Sequence, residues 1–395
     1  MNKSYLLVIC LLLTPFTGCI ETEELNDSDD KLAKIKCAPN CSYEDLSEMD
    51  LSGKDLSGTD FSFANLTWAN LTDTDLSGAN LQYCFCDNAS FENADLSGAN
   101  LFAAFLIDSK MSGANLDDAS LASAFLIGTD LSQASLREAN FGSSYLLDAD
   151  LTNANLNNTL FTFSSIYFSD FSDSTLVGAD FSLTNINGTM FTSSNLQNSD
   201  FATASLYYSN FHYADLSNAN FGYATIVSSE FWIANLTDAN LENAILYYPL
   251  MTYLDGCPSQ LPDEWRCVVS VYVSIGTTIR INLVGPYADV RYSRMTDVNL
   301  TGVNLAFANL TEAWFDDSDL TDANLTGADL TEAHLGANLT GADLSYANLT
   351  EASIWDANLT RTNLTGATVT GVNWNHSEWN QTIWIDGVAY DEQQA

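Results

Sequence analysis

The chain has 395 residues, with 51 Asp and Glu against 12 Lys and Arg and a net charge of −39 at pH 7. Such an excess of carboxylates argues against binding to nucleic acid backbones or to anionic lipid through charge. The sequence has only three histidines, and it contains no P-loop, no Gly-x-Ser-x-Gly motif and no His pair with metal-ligand spacing. We therefore expect no enzyme, no cofactor and no metal site.

The first 18 residues have the features of an export signal. Lys3 precedes an apolar run over residues 6–13, which is too short to span a bilayer as a helix, and a Phe-Thr-Gly-Cys motif ends at Cys19. This motif resembles a lipobox and predicts a lipid on Cys19; simple secretion is the alternative, because Phe16 is unusual at its position. With an acidic tether over residues 19–36, the prediction is an exported protein of the cell surface or a periplasm-like space, anchored to a membrane by lipid.

A five-residue period organises residues 46–251, within a first block predicted over residues 37–251. Every fifth residue in this stretch is Leu, Phe, Ile or Met, with Cys86 as the one substitute. A small residue stands two positions before most of these centres, and Asp or Asn often stands one position before the centre. Because neither a 3.6-residue helix nor a two-residue strand period produces this pattern, the repeat itself must be the structural unit.

The pattern, as in Ala94-Asp95-Leu96-Ser97-Gly98, resembles that of pentapeptide-repeat proteins of the A(D/N)LXX kind. The resemblance implies an all-β fold, a right-handed quadrilateral β-helix with four pentapeptides in each square coil. It also implies that the centre and the small residue face inward while the other three positions face solvent. Independently, Phe alternates with Leu or Ile at the centres between residues 161 and 231, which would place Phe on two opposite walls of a close-packed interior.

The period stops after residue 251 and resumes in a second block over residues 290–387. The interruption, residues 252–289, predicts a Cys-flanked loop and a β-hairpin of residues 268–275 and 278–283 with Gly276-Thr277 at the turn. One residue is lost between Leu335 and Leu339, which should tighten one corner.

The second block ends in three tryptophans, followed by a tail over residues 388–395. Trp374, Trp379 and Trp384 all stand at inward-facing centres. A solenoid must cover its terminal layer, so we expect these indoles to form a C-terminal cap. An aromatic platform for a planar ligand is the alternative.

Six cysteines follow the signal and the anchor, as suits an exported chain. Two pairs, Cys37 with Cys41 and Cys257 with Cys267, are the disulfide candidates. Cys84 and Cys86 are expected to be buried thiols, because neighbours two apart in a strand lack the geometry for a bridge. A zinc site of the four N-terminal cysteines ranks below packing, since no histidine accompanies them.

On one wall of the first block, the positions expected to face solvent carry apolar instead of polar residues. Taking every twentieth residue, these positions carry large apolar or aromatic side chains: Phe85, Phe105, Ile107, Phe125, Ile127, Tyr145, Leu147, Tyr167, Tyr207 and Tyr247, with Trp68, Phe168, Tyr208 and Tyr248 beside them. The opposite wall is rich in Asp, Asn and Ser. Such a stripe exceeds what monomers usually expose, so we interpret it as an interaction surface for an unknown protein partner or for self-association. Covering by the hairpin or by the second block is the alternative.

The sequence therefore predicts a non-catalytic cell-surface scaffold, a protein-binding solenoid anchored by an N-terminal lipid. Two other functions stay open. The family resemblance implies an acidic DNA-mimic inhibitor of a DNA-binding enzyme, which the export signal speaks against. Rows of Tyr and Trp are also compatible with a carbohydrate-binding surface protein.

Overall fold

The computed structural model describes residues 37–273 and 277–390, which form a parallel β-solenoid. Residue i bridges residue i + 20 along the first block, from Asn40 with Asp60 onwards. Because twenty residues are four pentapeptides, every coil has four walls, and the predicted four-walled, all-β fold is confirmed. We name the walls by the centres of one coil: Leu106 lies on wall A, Met111 on wall B, Leu116 on wall C and Leu121 on wall D.

Each corner of the coil is a tight turn that the repeat residues stabilise. After the centre Leu101, the Ala104 amide donates to the Leu101 carbonyl at 3.0 Å, and Ala103 between them has a left-handed φ of 54°. The Asp or Asn before a centre accepts a hydrogen bond from the amide two residues on, as from Ser132 to Asp130 Oδ1 at 2.9 Å. Asp and Asn favour such turns for this reason, which explains their recurrence.

Wall A is the most regular wall. Its seven short strands pair in parallel and in chain order: β1 Phe125–Ile127, β2 Tyr145–Leu147, β3 Ser165–Tyr167, β4 Asn185–Asn187, β5 Ser205–Tyr207, β6 Thr225–Val227 and β7 Ile245–Tyr247. The middle residue of each strand is buried and its two neighbours point outward. Aromatic and β-branched residues favour this extended conformation.

Two columns of fully buried Phe rings fill the interior of the first block. On wall D the rings of Phe161 and Phe181 stack with centroids 4.7 Å apart, and on wall B those of Phe191 and Phe211 stack at 4.8 Å. Rings of the two columns meet edge to face, as for Phe181 and Phe191 at 5.7 Å. This is the arrangement that aromatic quadrupoles prefer, and it shows that the predicted alternation of Phe with aliphatic centres describes the core correctly.

The interruption forms an antiparallel hairpin, β8 Arg266–Val273 and β9 Thr277–Val284. Thr277 pairs with Val273, so the prediction of Gly276-Thr277 as the turn is wrong. The observed register sets Val269 opposite Ile281 and Cys267 opposite Leu283, which are apolar cross-strand pairs. The predicted register would have set Cys267 opposite Pro286, which has no amide to donate.

The second block continues the axis of the first. Asp289 bridges Leu250 in parallel, and the Tyr248 amide donates to the Tyr287 carbonyl at 3.1 Å. Gly285 occupies the place of a wall A centre in this coil, and the buried ring of Trp265 lies where a side chain on Gly285 would project. The hairpin thus returns an indole to fill the interior at the coil where the repeat is interrupted.

Beyond this junction the coils run to the C-terminal end of the described chain. At the shortened corner the Ala337 amide bonds to the carbonyl of Leu335, two residues back, whereas the usual corner bond spans three residues. This confirms the predicted tightening.

The last coil ends in a cluster of the three indoles. The rings of Trp374, Trp379 and Trp384 pack with centroids 5.2 to 5.5 Å apart. A final hairpin, β10 Thr382–Ile383 and β11 Ala389–Tyr390, folds back at the same end. Residues 389 and 390, assigned to the tail from sequence, therefore pair with the last coil.

Three disulfides occur in the described residues, joining Cys37 to Cys41, Cys84 to Cys86 and Cys257 to Cys267. The first and third are the predicted pairs. The prediction that Cys84 and Cys86 are free thiols is wrong. Both side chains point into the same interior, and their Cα atoms lie 5.7 Å apart, a usual separation for a bridge.

Candidate interaction surface

Wall A brings the predicted interaction residues together in one outward-facing strip. The rings of Phe85 and Phe105 stack with centroids 5.4 Å apart, those of Phe105 and Phe125 at 5.2 Å, and Tyr145 meets Tyr167 edge on at 5.7 Å. Because neighbours in successive coils cover each other's flanks, most of these side chains are half-buried, while Tyr247 is 43% exposed. The strip is therefore an ordered, nearly flat face.

The strip carries no charge over most of its length. From Phe105 to Tyr247 the two outward columns of wall A contain only apolar, aromatic, Ser, Thr and Asn residues. A carboxylate stands only at the N-terminal end, where burial raises the pKa of Asp87, although this carboxylate accepts a hydrogen bond from the Ile107 amide at 3.1 Å. In a chain with a net charge of −39, an uncharged face of this length stands apart.

Both corners of wall A extend its apolar surface. The corner after wall A carries Phe168 and Tyr208, 60% and 65% exposed, as the sequence predicted. The corner before it adds Phe163, Leu183 and Tyr223, with exposures of 64%, 49% and 66%, which the sequence analysis missed. The three residues lie in one column with a spacing of twenty residues or a multiple of it, and this spacing is the signal by which the sequence could have revealed them. They were missed because they belong to the repeats of wall D and not to those of wall A.

The two long edges of wall A differ in charge. The edge toward wall B carries six carboxylates, those of Asp108, Asp130, Asp148, Asp150, Asp170 and Glu230, with Lys110 at its start. The corner column on the edge toward wall D, from Tyr83 to Tyr223, contains no charged residue. The apolar strip is thus bordered by negative charge on one side only.

The rest of the described chain does not fold over wall A. The second block continues along the axis, as the bridge of Leu250 with Asp289 shows. The hairpin instead contacts the coils on either side of it: Ser270 Oγ donates to the Arg294 carbonyl at 2.7 Å, and Arg266 donates to the Thr301 carbonyl at 2.8 Å. Neither of the own-chain covers considered from sequence is observed in the described part of the chain.

Wall C, opposite wall A, is polar, and its side chains form hydrogen bonds and a salt bridge with one another. Arg137 forms a salt bridge to Asp117 across one coil step, and Ser135 Oγ donates to the same carboxylate at 2.6 Å. Although partial burial opposes it, these hydrogen bonds hold the pKa of Asp117 below its usual value. Residues 37–273 and 277–390 include no group of three His, Cys, Asp or Glu side chains placed to hold a metal ion.

Comparison with known protein families agrees with the repeat pattern of the sequence. The sequence profile of pentapeptide repeats matches residues 45–78, 74–113, 114–146, 144–182, 184–222, 299–336 and 337–373, more than half of the chain. The chain belongs to the pentapeptide-repeat family. No curated protein is significantly similar to it.

Several solved pentapeptide-repeat structures are similar to this family member. HetL, involved in heterocyst differentiation regulation in the cyanobacterium Nostoc sp. strain PCC 7120, is 21% identical with a TM-score of 0.22, over 88% of this chain and 92% of HetL. Rfr23 from the cyanobacterium Cyanothece 51142 is 21% identical with a TM-score of 0.22, over 34% of this chain and 90% of its own. QnrB1, a plasmid-mediated fluoroquinolone resistance protein, is 17% identical with a TM-score of 0.18, over 62% and 90%. Similarities this low carry no argument about the function of this chain.

The remaining predicted positions of this pentapeptide-repeat protein lie away from wall A. The indoles of Trp374, Trp379 and Trp384 pack on one another and on the core of the last coil, the arrangement expected of a cap. Cys19 and the predicted export signal lie outside the described residues. In the part of the chain that the structure describes, no helix is long and apolar enough to cross a membrane.

Proposed function

We propose that this pentapeptide-repeat protein is a non-catalytic scaffold that binds a protein partner through wall A, at a cell surface to which a lipid on Cys19 holds it. The observation that carries the proposal is the uncharged face of strands β1 to β7, apolar or aromatic at nine of its fourteen outward positions, on a rod whose other walls are largely polar. The largest apolar patch of a monomer, a few hundred Å² in area, is often a functional site.

The dimensions of wall A suit a modest, reversible interface. At about 4.8 Å per coil, the strip from Phe85 to Ile245 is roughly 40 Å long, and a strand with its two outward side chains is on the order of 10 Å wide. Each partner would then bury roughly 400 Å², which places the complex among weak or transient interfaces. Tyr and Phe are enriched at such sites, and both line this wall.

Serine substitutions along wall A test the proposed interface. Replacing Phe105, Ile127 and Tyr167 by Ser in the full chain should abolish crosslinking to the partner in the native host, because it removes apolar contact from three coils. The matched control replaces Asn157, Val177 and Gln197 of wall C by Ser. Unchanged association, mass and solubility in the wall A variant would refute the interface.

The location is tested by fractionation and intact mass of the protein from its own host. A membrane-bound form beginning at lipidated Cys19 is expected. A soluble cytoplasmic form that keeps Met1 would refute the surface anchor, and it would make the acidic DNA mimic the function to examine next.

A further inference from the structure

We infer that the occupant of wall A is an amphipathic segment of another protein whose apolar ridge is bordered along one side by Lys or Arg. The inference rests on the proposed function, and it names the chemistry of the partner. It is carried by the charge difference between the two long edges of wall A.

Five of the six carboxylates of the acidic edge form a row, with Lys110 on the coil of Asp108 at its start. Asp108, Asp130, Asp148, Asp150 and Asp170 stand on four successive coils, so the carboxylates follow one another at about 4.8 Å along the axis. They border the most apolar part of the wall, the coils of Phe105, Phe125, Tyr145 and Tyr167.

One oxygen of each repeat carboxylate in this row is used by the fold, and the other is available. Oδ1 accepts from the backbone at Asp130, Asp150 and Asp170, in each case from the amide two residues on at 2.8 to 2.9 Å. Within the described residues, Oδ2 of these three aspartates accepts no hydrogen bond. The fold therefore holds each carboxylate in place with one oxygen left for a donor on a partner.

The opposite edge is neutral and partly apolar. Its corner column includes Phe163, Leu183 and Tyr223, whose side chains are largely exposed, with Thr203 between the last two. A partner with basic residues on both sides of its apolar ridge would leave one row unpaired here. A partner with one basic row binds in one orientation only, since complementary charge fixes register and orientation.

A second copy of this chain fits the edges less well. Two copies would each carry a net charge of −39, and their mutual repulsion opposes close approach at physiological salt. A segment with a basic row is instead attracted to the acidic edge, and its association should weaken as salt rises.

The test uses an 18-residue synthetic helix of Leu and Lys, with Leu on one face and Lys along one border, and the same peptide with Gln for Lys. Fluorescence anisotropy gives the Kd for the full chain and for an edge variant with Asp130, Asp150 and Asp170 changed to Asn. Asn keeps the turn hydrogen bond, as at Asn210, whose Oδ1 accepts from the His212 amide at 2.8 Å. The control changes Asp75, Asp95 and Asp215 of wall C to Asn, with the same change in charge and the same turn chemistry.

The edge variant should bind the Lys peptide about tenfold more weakly, while the wall C control changes less than twofold and the Gln peptide binds every variant weakly. Equal weakening in the two Asn variants, or equal binding of both peptides to the parent chain, would overturn the inference. The serine variant of wall A separates the two claims: if it alone loses the peptide, the interface stands and the basic partner does not. A concentration-dependent dimer in sedimentation, lost in the serine variant, would instead assign the wall to a second copy.

Discussion

The main role of the Asp or Asn that precedes each centre is to stabilise the coil by hydrogen bonds, and its charge is secondary. Asp95 Oδ1 accepts from the Ser97 amide at 3.0 Å and from Asn115 Nδ2 of the next coil at 3.0 Å. Both contacts need an acceptor oxygen, which Asn also supplies. Asp and Asn can therefore replace each other from wall to wall without changing the fold. The fold does not require the negative charge of the carboxylates that border wall A, so this charge is available for a function.

A residue-scale prediction concerns acid stability at Asp319. The hydrogen bonds from the side chain and the amide of Thr321 lower the pKa of Asp319 from 3.8. A carboxyl with a lowered pKa in the folded state stabilises the fold above its unfolded pKa, and this stabilisation is lost as the pH falls through the folded value. Asp319→Asn should therefore be relatively more stable at pH 2.5 than at pH 6.

The measurement is the urea midpoint of parent and Asp319→Asn between pH 2.5 and 6. The difference between them should change below about pH 4 and be constant above pH 5. A difference that does not vary with pH would show that the Thr321 hydrogen bonds do not favour the charged form.

A second residue-scale prediction concerns the Phe columns. Phe181 is fully buried between Phe161 and Phe201, with centroids at 4.7 and 4.8 Å. Phe181→Ala should cost about 3 to 5 kcal/mol in the free energy of unfolding, while Phe163→Ala, on the exposed corner, should cost about 0.5 kcal/mol or less.

Hydrogen exchange is the suitable readout for Phe181→Ala, because coils contact only their neighbours and local stabilities differ along a solenoid. Faster exchange should be confined to the coils around residue 181. Uniform acceleration through residue 390 would show that the two blocks unfold as one unit.

At the scale of elements, the junction between the two blocks is stabilised by Trp265, whose ring fills the interior where Gly285 has no side chain. The hairpin carries Trp265 back over Gly285, and the bridge between Cys257 and Cys267 ties the loop to the base of β8. Hydrogen bonds from β8 and β9 to the coils on both sides then join the two blocks. The interruption is therefore a structural joint between coils and not a flexible linker.

Trp265→Ala should destabilise the junction by about 3 to 5 kcal/mol, because it leaves a cavity where Gly285 has no side chain. Gly285→Leu alone should also destabilise it, since its side chain would overlap the indole. The double variant should be more stable than either single variant, because Leu restores the centre of wall A. Additive losses in thermal unfolding would contradict this complementarity.

At the scale of the whole molecule, the side chains that stabilise the fold face the interior, and those that can contact a partner lie on the outward faces of the four walls. The interior is filled along the whole described chain, while each wall presents its own surface chemistry. Repulsion among the carboxylates opposes the association of such rods through the apolar strip.

Lowering the pH toward the sequence pI of about 4.1 should therefore promote self-association through wall A, because the repulsion disappears while the apolar strip does not. Light scattering between pH 7 and 4.5 should show earlier association for the parent chain than for the variant with Ser at positions 105, 127 and 167. Identical curves would show that wall A does not drive association.

The sequence alone determined the solenoid, the four walls, the aromatic core and the apolar strip. Because the period is strict, the position of a side chain in the coil follows from its number in the sequence. Phe105 and Phe125 must lie one above the other, since twenty residues make one coil. Tertiary structure decided the contacts of residues outside the period and the contacts between residues of different repeats. The bridge of Cys84 with Cys86 depends on side-chain direction inside one coil, and the packing of Trp265 on Gly285 joins residues of an irregular segment. The corner of Phe163, Leu183 and Tyr223 borders wall A only because the chain turns there, and that turn brings residues of two different repeats onto one surface.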